Sequence, residues 1–403
     1  MDQHTVNPTP EVMFSLLKTS LWGEARFPLP SFDDADWTTV FTELLQHAIQ
    51  NLVVDQLAEA DPEHKNRYLK SAMLGFSHWY ELMDVQQNAC NLLHEAGIPC
   101  AVLKGAAANY AYPRHAHRSM GDIDLIVKPQ DFDRAYELLI QDSEFIGENF
   151  RHKELRKNGI RIELHRAFST LSDLHKRSLL DSWIFDAIDA ANTVSLEGYA
   201  FPMLPEYTHG LVLIEHINVH MESGLGLRQI IDWMMFADKS LSDAIWNREF
   251  ASRVRQLGLE TLAITVTRMC QLYLGLRNDL TFCHSADHYL CHELMSHILN
   301  QGNFGKKQQP GSNKSISILN TAKNIPALFR VLQCYGCINW AAVQKYPFLK
   351  AFAWLYQLCR YISKSFQLKH PIQHLRHSIK NAHSRDILFD RLGVTRIKEI
   401  HKD

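Results

Sequence analysis

Asp122 and Asp124 are the sharpest chemical signal in this 403-residue chain. Side chains two positions apart on a strand share a face. In Asp-Ile-Asp-Leu-Ile-Val (122–127) the two carboxylates therefore stand side by side, while Ile123, Leu125 and Val127 point into a core. Like charges so placed repel, and the repulsion is relieved by a proton on one of them or by a bridging cation. Hard oxygen ligands of this type suit Mg²⁺. A solvated strand end carrying two exposed acids is the plainer reading of so short a pattern.

Glu163 adds to the metal reading. It lies in Arg-Ile-Glu-Leu-His (161–165), where Arg161, Glu163 and His165 share one face of a strand, so a neighbouring strand can present a third carboxylate to the same place. Three acids can hold two Mg²⁺ ions, the arrangement that stabilises the attacking and leaving oxygens of an in-line displacement at phosphorus. Lys104-Gly105 supplies a positive charge and a residue without a Cβ, where phosphates approach backbone N–H groups at a helix start.

These residues need elements to hold them. Residues 11 to 96 read as helices. One apolar stripe runs through Trp37, Val40, Phe41, Leu44, Leu45, Ile49 and Leu52 with Asp36 as N-cap, and a second through Leu69, Met73, Phe76, Tyr80 and Met83 towards Leu93. Gly97 and Pro99 stop the second helix. Cys100 to Gly105 reads as a short strand, Ala106 to Tyr112 as a helix closed by Pro113, Asp122 to Val127 as a strand, and Asp131 to Ile140 as a helix. Asn158-Gly159 suits a tight hairpin between 150–156 and 160–166, and a further strand or hairpin falls near Val194 to Leu204. Helical periodicity resumes at Glu206 and continues to about residue 392, interrupted by a linker composition from Gly302 to Asn313.

The stretch Leu103-Lys-Gly, then Tyr112-Pro113, then Arg118-Ser-Met-Gly-Asp-Ile-Asp-Leu-Ile-Val127, resembles the uncharacterised nucleotidyltransferase family of the DNA polymerase β-like superfamily. The resemblance extends to Glu163-Leu-His165 and to His216-Ile-Asn-Val-His220 followed by Arg228 and Asp232, and it covers about residues 90 to 240. It implies an α+β fold: a polymerase β-like core, a small mixed sheet with flanking helices, embedded between helical N- and C-terminal regions. The expected divisions are 1–98, a catalytic core at 99–205, and 206–403. The implied activity is transfer of an NMP from an NTP such as ATP to an acceptor hydroxyl, with release of pyrophosphate. Two Mg²⁺ would be held by Asp122, Asp124 and Glu163, and the nucleotide by Lys104, Gly105, Arg118 and Gly121. His165, His216, His220, Arg228 and Asp232 would stand on the acceptor side.

Several features leave alternatives. Ala106 stands where the superfamily usually has Ser or Gly, which removes a hydroxyl donor to the triphosphate. A catalytically inactive nucleotide- or partner-binding protein on the same fold is therefore one rival, and a γ-phosphotransferase another. His216 and His220 lack the Glu of a zinc-protease motif and can equally be packed histidines. Arg228 and Asp232, four apart, can form a plain intrahelical pair. Cys283, His284, His288, Cys291 and His292, with Cys334 and Cys337, invite a zinc reading. Their spacing disfavours it, because structural zinc draws paired ligands from two turns or loops.

Composition bounds the rest. With 42 Lys and Arg against 44 Asp and Glu the net charge is −2, which removes any general pull towards nucleic acid. Residues 360 to 403 are locally basic, with ten Lys and Arg against four acids, usually a solvated face and otherwise a surface for an acidic partner. Eight cysteines are too few for a disulfide framework, the N-terminus has no signal pattern, and no apolar run suits a membrane span. These features predict a cytoplasmic protein acting on an NTP and an acceptor of unread identity, whether small molecule, peptide or protein.

Overall fold

The structure, a computed structural model, describes residues 9–32, 35–171, 173–303, 307, part of 329–366, and 385–394. Helices α1 (Thr9–Trp22), α2 (Trp37–Gln46), α3 (Val54–Ala60) and α4 (Lys65–Glu95) come first. Strand β1 (Cys100–Val102), helix α5 (Ala106–Asn109), β2 (Asp122–Val127), α6 (Phe132–Leu139), β3 (Glu144–Glu148), β4 (His152–Lys157) and β5 (Ile160–His165) follow. After α7 (Leu174–Ile188) comes the hairpin β6 (Asn192–Leu196) and β7 (Tyr199–Met203). Helices α8 (Glu206–Ser223), α9 (Leu227–Ser240), α10 (Asp243–Ile245), α11 (Ala251–Leu257), α12 (Glu260–Leu274) and α13 (His288–Gln301) complete the ordered run, with a further helix at Ala353–Phe366. Among the described residues no helix is long and apolar enough to cross a membrane.

The seven strands form one mixed sheet in the order β3-β4-β5-β2-β1-β7-β6. β2 runs parallel to β5 and antiparallel to β1. The architecture is α+β with helical flanks, as expected. The first hairpin turns at Asn158-Gly159 as expected, and the element expected near Val194 to Leu204 is a hairpin that turns at Glu197-Gly198. Asn158 and Gly159 carry φ of 51° and 81°, and Glu197 and Gly198 carry 50° and 89°, the positive pair that two-residue hairpin turns require.

Each face of the sheet closes a different core. Ile123, Leu125 and Val127 of β2 pack with Leu155, Ile162 and Leu164 under α4 and α6. Ile126, Ala101 and Leu103 face the other way, into a core shared by α1–α3, α8, α9 and α12. The helical segments before and after the sheet thus meet in one core, and α1 packs directly on α12.

Three local expectations are corrected. The buried face of α4 is Tyr68, Ala72, Trp79, Leu82, Met83, Gln86, Ala89, Cys90 and Leu93, while Met73 and Tyr80 are exposed. Rotating the helix by one residue, about 100°, buries Trp79, which carries more apolar surface than any residue of the predicted stripe. The helix expected over Ala106 to Tyr112 is one turn long, because Pro113 follows and Tyr112 is drawn into a buried contact described below. β3 was not anticipated; it is an exposed edge strand with a register shift between Phe145 and Gly147, so no alternation marks it. Most of the basic segment 360–403, Cys334 and most of the linker from Gly302 to Asn313 lie outside the described residues.

Candidate functional site

The parallel register of β2 and β5 sets Asp122 beside Arg161, Asp124 beside Glu163 and Ile126 beside His165. Asp122, Asp124, Glu163 and His165 therefore share one face, the face that looks towards α8 and α9. β4 adds His152 directly opposite His165. Sequence reasoning missed His152, although the signal was present: it lies as far before the Asn158-Gly159 turn as His165 lies after it.

Asp124 is the hub. Its Oδ1 lies 2.8 Å from Lys104 Nζ and 3.0 Å from His165 Nε2. Burial pushes the carboxyl up, but Lys104 and His165 outweigh it and hold Asp124 well below the usual carboxylate range. Asp122 has no such partner. Burial, and then the charge of Asp124, push it up to about 6. Glu163 is burdened by burial yet held low overall by His165, whose Nε2 is 3.4 Å from Glu163 Oε2. Burial disfavours the charged forms of Lys104 and His165, and the neighbouring carboxylates more than compensate, raising both.

The turn between β1 and α5 brings Lys104 and Gly105 to this point. Gly105 precedes α5 with φ 55° and ψ −109°, a conformation side chains resist, and a Cβ there would sit 3.6 Å from the Asp122 carbonyl. Gly121 is exposed immediately before β2, and a Cβ there would meet nothing within 4 Å.

Arg118 occupies a different place from the one expected. It is 4% exposed and binds Asp232 of α9 through both ends of its guanidinium, with Nε donating to Oδ1 at 2.8 Å and Nη2 to Oδ2 at 2.6 Å. Tyr112 Oη also donates to Asp232 Oδ1 at 2.7 Å. Arg228 Nη1 donates to the Ser119 carbonyl at 3.0 Å. Asp232 and Arg228 thus hold the 112–121 loop that delivers Asp122. Burial pushes Asp232 up, but Arg118 prevails and keeps it ionised.

His216 and His220 stand one turn apart on α8 with ring centroids 4.5 Å apart. Burial drives both towards the neutral form, His220 to about 3, with Lys104 and Arg228 among the charges acting on each. A cavity of about 270 Å³ lies elsewhere, between α5, β7 and α9, and its lining includes His209, Phe236 and Lys239 but none of the carboxylates. The Cys and His residues of 283–292 do not come together as a ligand group among the described residues.

The carboxylate face fits a hard dication. Three buried or half-buried acids converge, and Asp122 is left without a counter-charge of its own. Pairs of carboxylates on adjacent strands with a fixed cation beside them can hold divalent metal and neutralise a bound phosphate chain.

Comparison with known proteins adds a family. Residues 33–275 match the family described as uncharacterised nucleotidyltransferase, which is more than half of the chain. No curated protein matches. Among solved structures, the chain is similar to the crystal structure of an antigenic nucleotidyltransferase-like protein from Paracoccidioides brasiliensis. The identity is 15%, the coverage 50% of this chain and 96% of that one, and the TM-score 0.32.

Proposed function

The chain belongs to the uncharacterised nucleotidyltransferase family, and on that premise we propose that it transfers an NMP from an NTP to an acceptor hydroxyl with release of pyrophosphate. The observation that carries this reading is the alignment of Asp124 with Glu163 on parallel strands, with Asp122 on the same face and Lys104 at 2.8 Å. The catalytic core would be residues 99–205, between helical regions at 1–98 and 206–403.

Asp122, Asp124 and Glu163 would hold two Mg²⁺, which when bound supply charge stabilisation to the attacking and leaving oxygens. The protein's own part is positioning and electrostatics. Lys104 Nζ neutralises phosphate charge as it now neutralises Asp124. Gly105 and Gly121 keep the approach to β2 free of side chains. Arg118, already bound on both sides to Asp232, contributes by fixing the loop ahead of Asp122, not by touching phosphate. Glu163, its charge held by His165, would accept the acceptor's proton only after that contact loosens. His216 and His220, kept neutral by burial, would line the acceptor side as hydrogen-bonding groups that add no positive charge.

Calorimetric titration of each NTP, with and without Mg²⁺, tests the reading on the wild type and on Asp122→Asn/Asp124→Asn. Mg²⁺-dependent binding that disappears in the double variant supports it. No binding of any NTP by the wild type turns the assignment to a non-catalytic protein on this fold, and formation of an NDP in place of pyrophosphate identifies γ-phosphoryl transfer.

A further inference from the structure

We propose that His152, Glu163 and His165 bind one borderline transition-metal dication of the Zn²⁺ class, at a nitrogen-rich position beside the Asp122–Asp124 pair. The ligand atoms of these three residues all lie within 4.8 Å of one another. Glu163 Oε2 is the centre, 3.4 Å from His165 Nε2 and 3.5 Å from His152 Nδ1. Two imidazoles and one carboxylate form a donor set that suits borderline metals, whereas Mg²⁺ prefers oxygen throughout.

The far nitrogen of each ring is already engaged. His165 Nδ1 lies 3.4 Å from the Ala167 carbonyl, so a ring that keeps its proton on Nδ1 can turn an Nε2 lone pair to a metal. His152 Nε2 meets Asn149 Nδ2 at 2.9 Å and Glu154 Oε1 at 3.4 Å, so either tautomer finds a partner on that side. Donation to Glu154 leaves the Nδ1 lone pair facing Glu163.

His152 Nδ1 is an independent sign of a ligand position. The residue is 5% exposed, and this nitrogen is buried with no hydrogen-bond partner. Leaving a buried polar atom unpaired costs about 1–3 kcal/mol, so its position at the mouth of a carboxylate and a second imidazole calls for a ligand. The rings stand nearly edge to face, 69° apart with centroids at 4.8 Å, so they are not stacked on one another. All three residues sit on hydrogen-bonded strands in fixed register, the rigid mounting a metal site needs. Asp124 Oδ1, 3.0 Å from His165 Nε2, is the competing partner that takes an Nε2–H when no metal is bound.

This inference does not depend on nucleotidyl transfer, and its test needs no nucleotide. The full chain, stripped with chelator, is titrated with Co²⁺ followed by visible absorption and then with Zn²⁺ in competition. One equivalent is expected per chain, with affinity weakened about tenfold or more in His152→Gln and retained in Asp122→Asn. X-ray absorption fine structure of the wild type with one equivalent of Zn²⁺ should count two imidazoles, a measurement that stands even if the His152 variant fails to fold. No stoichiometric binding, an all-oxygen ligand shell, or unchanged affinity in a folded His152→Gln overturns the proposal. NTP binding that fails while Zn²⁺ binding persists overturns only the proposed function.

Discussion

Arg118 and Asp232, 114 residues apart in the chain, meet in a buried two-point ion pair with contacts of 2.8 and 2.6 Å. The pair joins the loop that delivers Asp122 to helix α9, so the position of the carboxylates is set by a helix far from them in sequence. Both side chains are almost fully buried, at 4% and 3% exposure. Asp232→Ala leaves a buried guanidinium without its counter-charge and is expected to cost about 3–5 kcal/mol, read by chemical denaturation. Tyr112→Phe removes one donor to the same carboxylate and should cost less, about 1–2 kcal/mol. A silent Asp232→Ala would contradict the role given to the pair.

Asp122 and Asp124 should respond to Asn in opposite directions when no divalent metal is present. At Asp122 burial and the charge of Asp124 outweigh Lys104 and Arg228, so Asp122→Asn is expected to stabilise by on the order of 1–2 kcal/mol in chelator at pH 7.5. Asp124→Asn strips Lys104 of its nearest carboxylate and should destabilise by up to about 3 kcal/mol. Melting temperatures of the two variants decide this; equal shifts of the same sign would refute the asymmetry.

Added Mg²⁺ should raise the melting temperature of the wild type and leave Asp122→Asn/Asp124→Asn unmoved, because a ligand that binds only the folded carboxylate face stabilises by mass action. Thermal scans over a Mg²⁺ series, with Na⁺ held at matched ionic strength, separate specific binding from screening.

Acid should weaken the fold through its buried neutral histidines. His209 and His297 are lowered to about 4 and His47 and His220 to about 3, burial being the main cause for each. His47 Nδ1 accepts from the Leu227 N–H at 3.3 Å, which a proton there would abolish. As pH falls below the unfolded histidine value near 6.5, the unfolded chain takes up protons that the folded one refuses. The stabilisation from these neutral rings is complete above that value and declines towards pH 4, with the last of it lost near pH 3. Unfolding free energies of Asp122→Asn, which removes the opposing proton uptake of Asp122, should fall steadily between pH 7.5 and 4.5; a flat profile would contradict the neutrality given to these rings.

Gly105→Ala places a side chain at φ 55° and ψ −109° beside Lys104. The strain is expected to cost about 1–3 kcal/mol in stability. Space alone does not forbid the substitution, since its nearest contacts would be 3.6 and 3.7 Å, so a melting temperature equal to wild type would mean the loop adjusts its backbone.

The sequence by itself determined the elements from Cys100 to His165 apart from β3, the Asn158-Gly159 turn, and the sharing of one face by Asp122 and Asp124 and by Arg161, Glu163 and His165. These follow from period-two geometry and from Asn-Gly chemistry, which are local and act whatever the rest of the chain does. The tertiary structure decided the rest. That β2 and β5 are neighbours in parallel register, with Asp124 beside Glu163, depends on which strands pair, and no local pattern encodes that choice. Arg118 reads in sequence as a loop cation free for phosphate, yet Asp232 claims it, because a charge carried into a dry interior stays only where an opposite charge already waits. His152 became part of the site for a similar reason: the pairing of β4 with β5 sets its ring opposite His165.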